Sequence, residues 1–217
     1  ELLPLVSQLN EVKVSNKKPR EIEVGILNKS GHKWKSVNQR LQNPGTQSAI
    51  YLKNDNYKSA YLKTLHFYMG DEMFDAPFRV RIYENKNGIP GQDLLEKSLT
   101  YSATKKKSWN TFDVTAYNIL MPENGLWVSI EWIANEKYKK TVHTTMKYPD
   151  GSIKPWTYTY YGPEIVAHFD TDFGLTYKKH IGSNKWRNDT GKSRGLLDKN
   201  WRIAYTDLLV KATLEVY

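Results

Sequence analysis

Five histidines, His32, His66, His143, His168 and His180, are the first residues whose chemistry could matter. No two lie close enough to form a metal pair on one helix or one strand. His66 and His168 fall inside alternating apolar segments, where the default is a histidine hydrogen-bonded within a sheet. His168 is followed by Asp170 and Asp172, and two-residue alternation places all three on one face of an extended segment. That set of nitrogen and oxygen donors suits a transition metal, although strand ends often carry such residues without a ligand. Carboxylates also gather in Gly70-Asp71-Glu72 with Asp75, and in Asp170-Thr171-Asp172. Loop oxygens suit a hard cation such as calcium. Neither segment has the spacing of an EF-hand loop, and an ordinary acidic turn is the alternative. Sequence leaves the metal question open, and no cofactor is expected.

Aromatic residues form the most pointed pattern. Trp156, Tyr158 and Tyr160 alternate, with Tyr161 adjacent, so the first three share one side of an extended segment. Three rings on one face can stack on a sugar, cover a sheet edge or pack down as a lid on the core. Trp186, between Lys185 and Arg187, is a second exposed-aromatic candidate. These four residues, Trp156, Tyr158, Tyr160 and Trp186, are the expected ligand-binding set. No catalytic residue is singled out. The Gly-x-Ser-x-Gly elbow, the Gly-rich phosphate loops and the His-Glu-x-x-His zinc motif are all absent. With no cysteine in the chain, thiolate metal sites, cysteine nucleophiles and disulfides are excluded.

The 217 residues carry 15 Tyr and 7 Trp against 6 Phe. Strand propensity alone accounts for much of this excess and is the favoured reading; a stacking surface for sugars or other flat ligands is the sharper alternative. The net charge of +9 favours anionic partners. Its one dense run, Lys105-Lys106-Lys107, sits in a turn-like context, and the other lysines are scattered. Without a basic helix or a nucleic-acid module, nucleic acid is not an expected partner. No apolar stretch approaches the roughly 20 residues of a membrane-spanning helix. The first residues, from Glu1 to Val6, lack an initiator Met and the features of a signal peptide, which reads as a piece of a longer precursor with any targeting signal upstream.

These residues have to be held by strands. Phe78, Val80 and Ile82 oppose Arg79, Arg81 and Tyr83. Leu126, Val128, Ile130 and Trp132 oppose Ser129 and Glu131. Leu208, Val210, Ala212, Leu214 and Val216 oppose Lys211, Thr213 and Glu215, and Leu65, Phe67 and Met69 alternate likewise. Further strands are predicted at 21–27, 47–53, 94–101, 109–114, 164–169, 175–180 and 201–205. Asn87-Gly88, Pro90-Gly91, Asn43-Pro44-Gly45, Glu123-Asn124-Gly125 and Asp150-Gly151 mark turns. Residues 113–119 allow one helical turn at most. The predicted fold is all-β, an antiparallel sandwich of jelly-roll or galactose-binding-like type. Residues 1–20 read as a linker or the tail of a preceding domain. Residues 21–217 read as one sandwich with an excursion at about 135–163, either a long loop or an extra hairpin.

The run from Pro77 to Tyr83, then Asn87-Gly88-Ile89-Pro90-Gly91 and Leu94-Leu95, resembles a strand–turn–strand pattern of secreted bacterial β-sandwich domains. Thr111-Phe112-Asp113-Val114, Tyr117-Asn118-Ile119, Pro122, Gly125-Leu126-Trp127-Val128 and Glu131-Trp132 extend the likeness. Leu9 to Val14 resembles the closing strand of a carboxypeptidase-like regulatory domain. Together they resemble the uncharacterised region that follows such a domain in Gram-negative cell-envelope proteins. The resemblance implies export to the periplasm, outer membrane or cell exterior, and carries no catalytic residue. The expected function is a non-catalytic binding or interaction module, with a glycan or an envelope protein as partner. The alternatives are a structural or assembly domain without a small ligand, and a polysaccharide or peptide hydrolase. A hydrolase requires a concave pocket with two convergent carboxylates, or a histidine beside one.

Overall fold

Residues 18–27, 33–36, 43–55, 57, 60–171, 174–194 and 201–217 are described by the structure, a computed structural model. The strands are β1 (Arg20–Gly25), β2 (Lys33–Ser36), β3 (Gln47–Leu52), β4 (Ala60–Met69), β5 (Phe78–Lys86), β6 (Ile89–Asp93), β7 (Leu99–Tyr101), β8 (Ser108–Asp113) and β9 (Leu126–Trp132). After them come β10 (Lys139–Lys147), β11 (Ile153–Tyr161), β12 (Val166–Thr171), β13 (Thr176–Lys179), β14 (Arg187–Asn188), β15 (Thr190–Arg194), β16 (Trp201–Leu208) and β17 (Val210–Val216).

A four-stranded sheet runs β1-β17-β4-β8, and a seven-stranded sheet runs β14-β13-β3-β9-β5-β6, with β7 also paired to β5. All these pairings are antiparallel. Eight of the strands, β1-β17-β4-β8 facing β3-β9-β5-β7, reproduce the strand order and sheet alternation of a jelly roll. Strands β10 to β16 all fall between β9 and β17, the last two strands of that roll. Among them β10 and β11 form a separate two-stranded sheet, while β15-β16-β12-β2 form a fourth sheet. β16 passes into β17 through Leu209, whose N–H donates to the Val166 carbonyl at 2.9 Å and whose carbonyl accepts from Tyr68 at 3.0 Å. The fourth sheet is thereby tied to the ends of β4 and β17, the two central strands of the four-stranded one.

The core follows from the alternation. Val80, Ile82, Val128 and Ile130 face Leu62, Leu65, Phe67 and Ala212, all at most 1% exposed. Phe67, Phe78 and Phe112 meet at its centre with ring separations of 5.6 to 5.8 Å. Each such side chain removed from water contributes about 1.5–3 kcal/mol, which is what two half-buried sheets need in order to stay closed.

Two local predictions change. Of the turn signals after β5, only Asn87-Gly88 is the turn, with φ of 54° and 80°, as a two-residue hairpin demands. Pro90 and Gly91 lie inside β6, an edge strand, where a missing N–H is tolerated. The strand predicted at 94–101 shrinks to β7, because residues 94–98 form the connection from β6. The helical turn expected within 113–119 is a single 3-10 turn at Thr115–Tyr117.

Candidate functional site

The outward face of the seven-stranded sheet gathers polar and aromatic side chains from strands far apart in sequence. Cross-strand register lines them up in three rows. The first is Lys179, Gln47, Glu131 and Arg79. The second is Tyr177, Ala49, Ser129 and Arg81. The third is Tyr51, Trp127, Tyr83 and Asp93. The outward side of β9 is not wet: Trp127 is 2% exposed, Ser129 0% and Glu131 8%. Trp186, from the connection between β13 and β14, packs against the cluster of Ala49, Tyr83 and Trp127. Its ring meets Tyr83 edge-on at 5.4 Å, and the Lys179 ammonium lies 4.9 Å from its centre. The tryptophan expected to be exposed is therefore half-buried, and serves as a cover over the sheet.

Glu131 is the hub of this face. Arg79 Nη1 donates to its Oε1, while Arg81 Nε and the Gln47 amide donate to its Oε2 at 2.9 and 3.2 Å. Arg81 Nη1 also donates to Asp93 at 3.0 Å, and the Tyr83 hydroxyl donates to Gln47 Oε1 at 2.6 Å. Burial works against the charge on Arg81, but the hydrogen bonds from Glu131 and Asp93 outweigh it and raise its pKa. Burial, reinforced by Asp93, pushes the Tyr83 hydroxyl up to about 12. Burial lowers the pKa of Lys179. Both Glu131 oxygens are thus occupied as acceptors, by two guanidiniums and one amide.

Beside this network lies an aromatic notch of about 140 Å³, lined by Tyr51, Gly88, Trp127, Gly174, Leu175 and Tyr177. Trp127 stands between its neighbours, 5.3 Å from Tyr51 and 5.1 Å from Tyr177, and its indole N–H donates to Asn85 at 3.2 Å. The Tyr51 hydroxyl donates to the Asn124 carbonyl at 2.9 Å. Its ring lies on Gly125, where an added Cβ would come within 2.7 Å of it and φ is +73°; only glycine fits there. The notch is well below the roughly 300–1,000 Å³ of pockets that enclose a drug-sized molecule.

The other expected residues sit on the β10–β11 hairpin. Register puts Trp156, Tyr158 and Tyr160 on one face, as alternation requires. The rings stack in series, Trp156 on Tyr158 at 4.7 Å and 28°, then Tyr158 near Tyr160 at 6.1 Å and 27°. At such spacing neighbouring ring faces are turned toward each other, not outward together as a platform. Trp156 and Tyr158 are half-buried, and Tyr160 is 1% exposed. Its hydroxyl donates to Glu72 Oε2, and burial with that bond raises its pKa above the ordinary tyrosine value. Lys140 donates to the other oxygen of Glu72 at 2.6 Å, and Tyr138 donates to Asp75 at 3.0 Å.

Comparison with known proteins gives the chain no family. No family model and no curated protein matches it. Among solved structures it is similar to the clostridial cysteine protease Cwp84 after propeptide cleavage, with a TM-score of 0.46 and 13% identity over 91% of this chain and 40% of that one. A structure of the cysteine protease and lectin-like domains of Cwp84, a surface-layer-associated protein of Clostridium difficile, gives 0.38 and 14% over 79% of this chain and 32% of that one. Infectious bursal disease virus, Gt strain, gives 0.29 and 11% over 99% and 45%. The chain thus spans less than half the length of each. Its function has to be argued from its own residues.

The remaining candidates have structural work. His66 is held by Thr111 at Nδ1 and by Thr64 and Thr213 at Nε2, at 2.8 to 3.0 Å, the sheet histidine expected. Burial, and then nearby Lys211, lower its pKa. His143 bonds Thr157 across the hairpin at 3.0 Å. His168 is buried, directly across from Asp207 on β16 and Trp34 on β2. His32, Asp172 and the side chain of Asp170 lie outside the described residues, as do residues 1–17. Among the described residues no three histidines or carboxylates gather as a metal set.

The acidic turn at 70–75 anchors the hairpin. Glu164 accepts from the Asp71 and Glu72 N–H groups at 2.7 and 2.9 Å. Its carboxylate lies so close to Gly70 that an added Cβ would come within 2.2 Å of it. Asp71 pairs with Lys107 and Lys106 at 2.7 and 3.3 Å, which ties the lysine run to the same turn. Sequence reasoning missed Glu131, Gln47, Arg79, Arg81, Asp93 and the notch. The signal lay in the outward half of the β5 and β9 alternation.

Proposed function

We propose that this chain is a non-catalytic binding module of an exported bacterial envelope protein, and that the outward face of its seven-stranded sheet holds a glycan. The observation that carries this is the notch between Tyr51, Trp127 and Tyr177, set beside fixed hydrogen-bonding groups. A sugar ring has an apolar face that suits aromatic side chains and hydroxyls that suit Gln, Arg and carboxylate. The neighbouring carboxylates, Glu131 and Asp93, are each held by a guanidinium, which favours binding over hydrolysis. The larger described hollow, about 400 Å³ between residues 94–97 and 116–117, has one carboxylate, Glu96, among its lining residues. The two converging carboxylates of a hydrolase are found in neither cavity. The family resemblance supports the envelope setting.

A glycan array followed by calorimetry tests the proposal. At least one glycan binds the wild-type chain, and Tyr177→Ala weakens it about tenfold, or about 1.4 kcal/mol, with the melting temperature little changed. Binding that ignores Tyr177→Ala and Tyr51→Ala removes the notch from the site; binding of no glycan removes the proposal.

The projecting hairpin favours a second reading, assembly within a larger envelope protein through protein contacts. Crosslinking in cells with and without the hairpin separates the two, since a glycan module keeps its ligand when the hairpin is trimmed.

A further inference from the structure

The β10–β11 hairpin leaves the sandwich at a fixed base. Its last anchored pair is Lys140–Tyr160, both bonded to Glu72, and seven further cross-strand pairs lie beyond it, from Thr141–Thr159 to Lys147–Ile153. At about 3.4 Å per residue the arm extends on the order of 20 Å.

Hydrogen-bond alternation tells which main-chain groups face outward. The Tyr148 N–H donates to the Ser152 carbonyl at 2.9 Å, so this pair and every second pair after it bond across the hairpin. The pairs between, Lys147–Ile153, Thr145–Pro155, His143–Thr157 and Thr141–Thr159, turn their N–H and C=O groups away from each other. On β11 the outward row is broken at Pro155, which has no N–H. On β10 it runs unbroken from Lys139 to Lys147, and Thr141, His143, Thr145 and Lys147 are all exposed. Among the described residues β10 pairs only with β11.

We propose that the outer edge of β10 docks an extended acidic strand of another polypeptide. The edge offers main-chain donors and acceptors at strand spacing, which another polypeptide backbone matches and a polysaccharide does not. Charge selects the partner. Lys139 and Lys147 close the two ends of the row. A second copy of this chain, paired antiparallel about His143, would set Lys139 against Lys147 at both ends, and like charges directly opposite each other destabilise a strand pair. A strand with carboxylates at those two positions meets a lysine at each. Lys139 bonds the exposed Glu136 at 2.9 Å, a surface pair weak enough to exchange. The docking edge is separate from the sheet face proposed for glycan and stands without it.

The probe is a nine-residue peptide of alternating Thr and Val with Glu at both ends, compared with the same peptide carrying Lys at both ends. Amide shifts of the intact chain are followed by NMR. The Glu peptide binds saturably, with shifts concentrated at 139–147, and at least tenfold more tightly than the Lys peptide. Thr145→Pro removes one outward N–H, as Pro155 does on the other strand, and abolishes binding while cross-strand contacts of the hairpin persist. Should that variant unfold the hairpin, Lys147→Glu, a change at an exposed position, is the second arm and removes the preference between the peptides, since each then meets one opposite and one like charge. Failure of the Glu peptide to bind overturns the proposal. So does binding that survives both substitutions, or equal competition by an anionic polysaccharide, or self-association through β10 in the absence of peptide.

Discussion

The outward face of the seven-stranded sheet and the hairpin are both rich in Tyr and Trp, yet they arrange their rings in opposite ways. On the sheet, neighbouring rings come from different elements and are set at an angle to each other, Trp127 with Tyr51 at 47° and with Tyr177 at 74°, and Tyr83 with Trp186 at 74°. On the hairpin the rings come from alternate positions of one strand and lie within 28° of parallel. Edge-to-face packing leaves a gap into which another ring fits; serial stacking uses up the ring faces and stiffens the strand. The lesson is that an aromatic run in sequence is evidence of a spine, whereas a binding notch is built from rings that sequence scatters.

The largest effect that would break this contrast is Glu131→Ala. It leaves Arg79 and Arg81 side by side without their shared carboxylate, and is expected to lower stability by about 3 kcal/mol in urea unfolding. Trp186→Ala uncovers the same face and is expected to cost about 2 kcal/mol, a part of the loss for a fully buried tryptophan. On the hairpin, Tyr160→Phe removes the bond to Glu72 and is expected to cost about 1 kcal/mol. That loss should appear as faster amide exchange in β10 and β11, with β5 and β9 unaffected.

Alkaline pH separates the regions more finely. Because the folded Tyr83 hydroxyl is raised to about 12, the neutral form is favoured in the native state. Its contribution to stability is present below about pH 10, the unfolded value, and is lost as pH rises through about 12. Tyr83→Phe should flatten that part of the stability profile. The smallest effect is expected from replacing residues 143–157 by Asn-Gly, which joins the bonded pair Val142–Tyr158 in a two-residue turn. The melting temperature should move by no more than a few degrees, since that part of the arm lies beyond the anchors on Glu72. A large drop would show that the arm supports the core.

Much of the fold was legible. Phe78, Val80 and Ile82, and Leu126, Val128, Ile130 and Trp132, alternate because one side of each strand meets the core; burial marks that side along Phe78 to Ile82, whereas β9 is buried on both faces. β10 was not legible as a strand: Lys139 to Lys147 has solvent on most of both faces, so little hydrophobic signal marks its period. Pro90-Gly91 misled because a turn signal and an edge strand tolerate the same residues. Of the site, the sequence shows that Trp156, Tyr158 and Tyr160 share a face, and flags Trp186. It does not show that Gln47, Arg79, Glu131 and Lys179 share a row, because that depends on the register of four strands brought together only by folding.

The position of β17 between β1 and β4 has a consequence for how the molecule comes into being. The ion pair between Glu23 and Lys211 joins positions 188 apart, so of the four strands of this sheet the central β17 is the last to be synthesised. Until it emerges from the ribosome, β1 and β4 wait with open edges, the kind of slow, long-range closure that exposes a nascent chain to aggregation and to chaperones. The entropy of that closure grows only logarithmically with the length of chain between. The run from β10 to β16 is therefore where this roll can gain or lose whole structures, hairpin arm included, with little change in the work of closing.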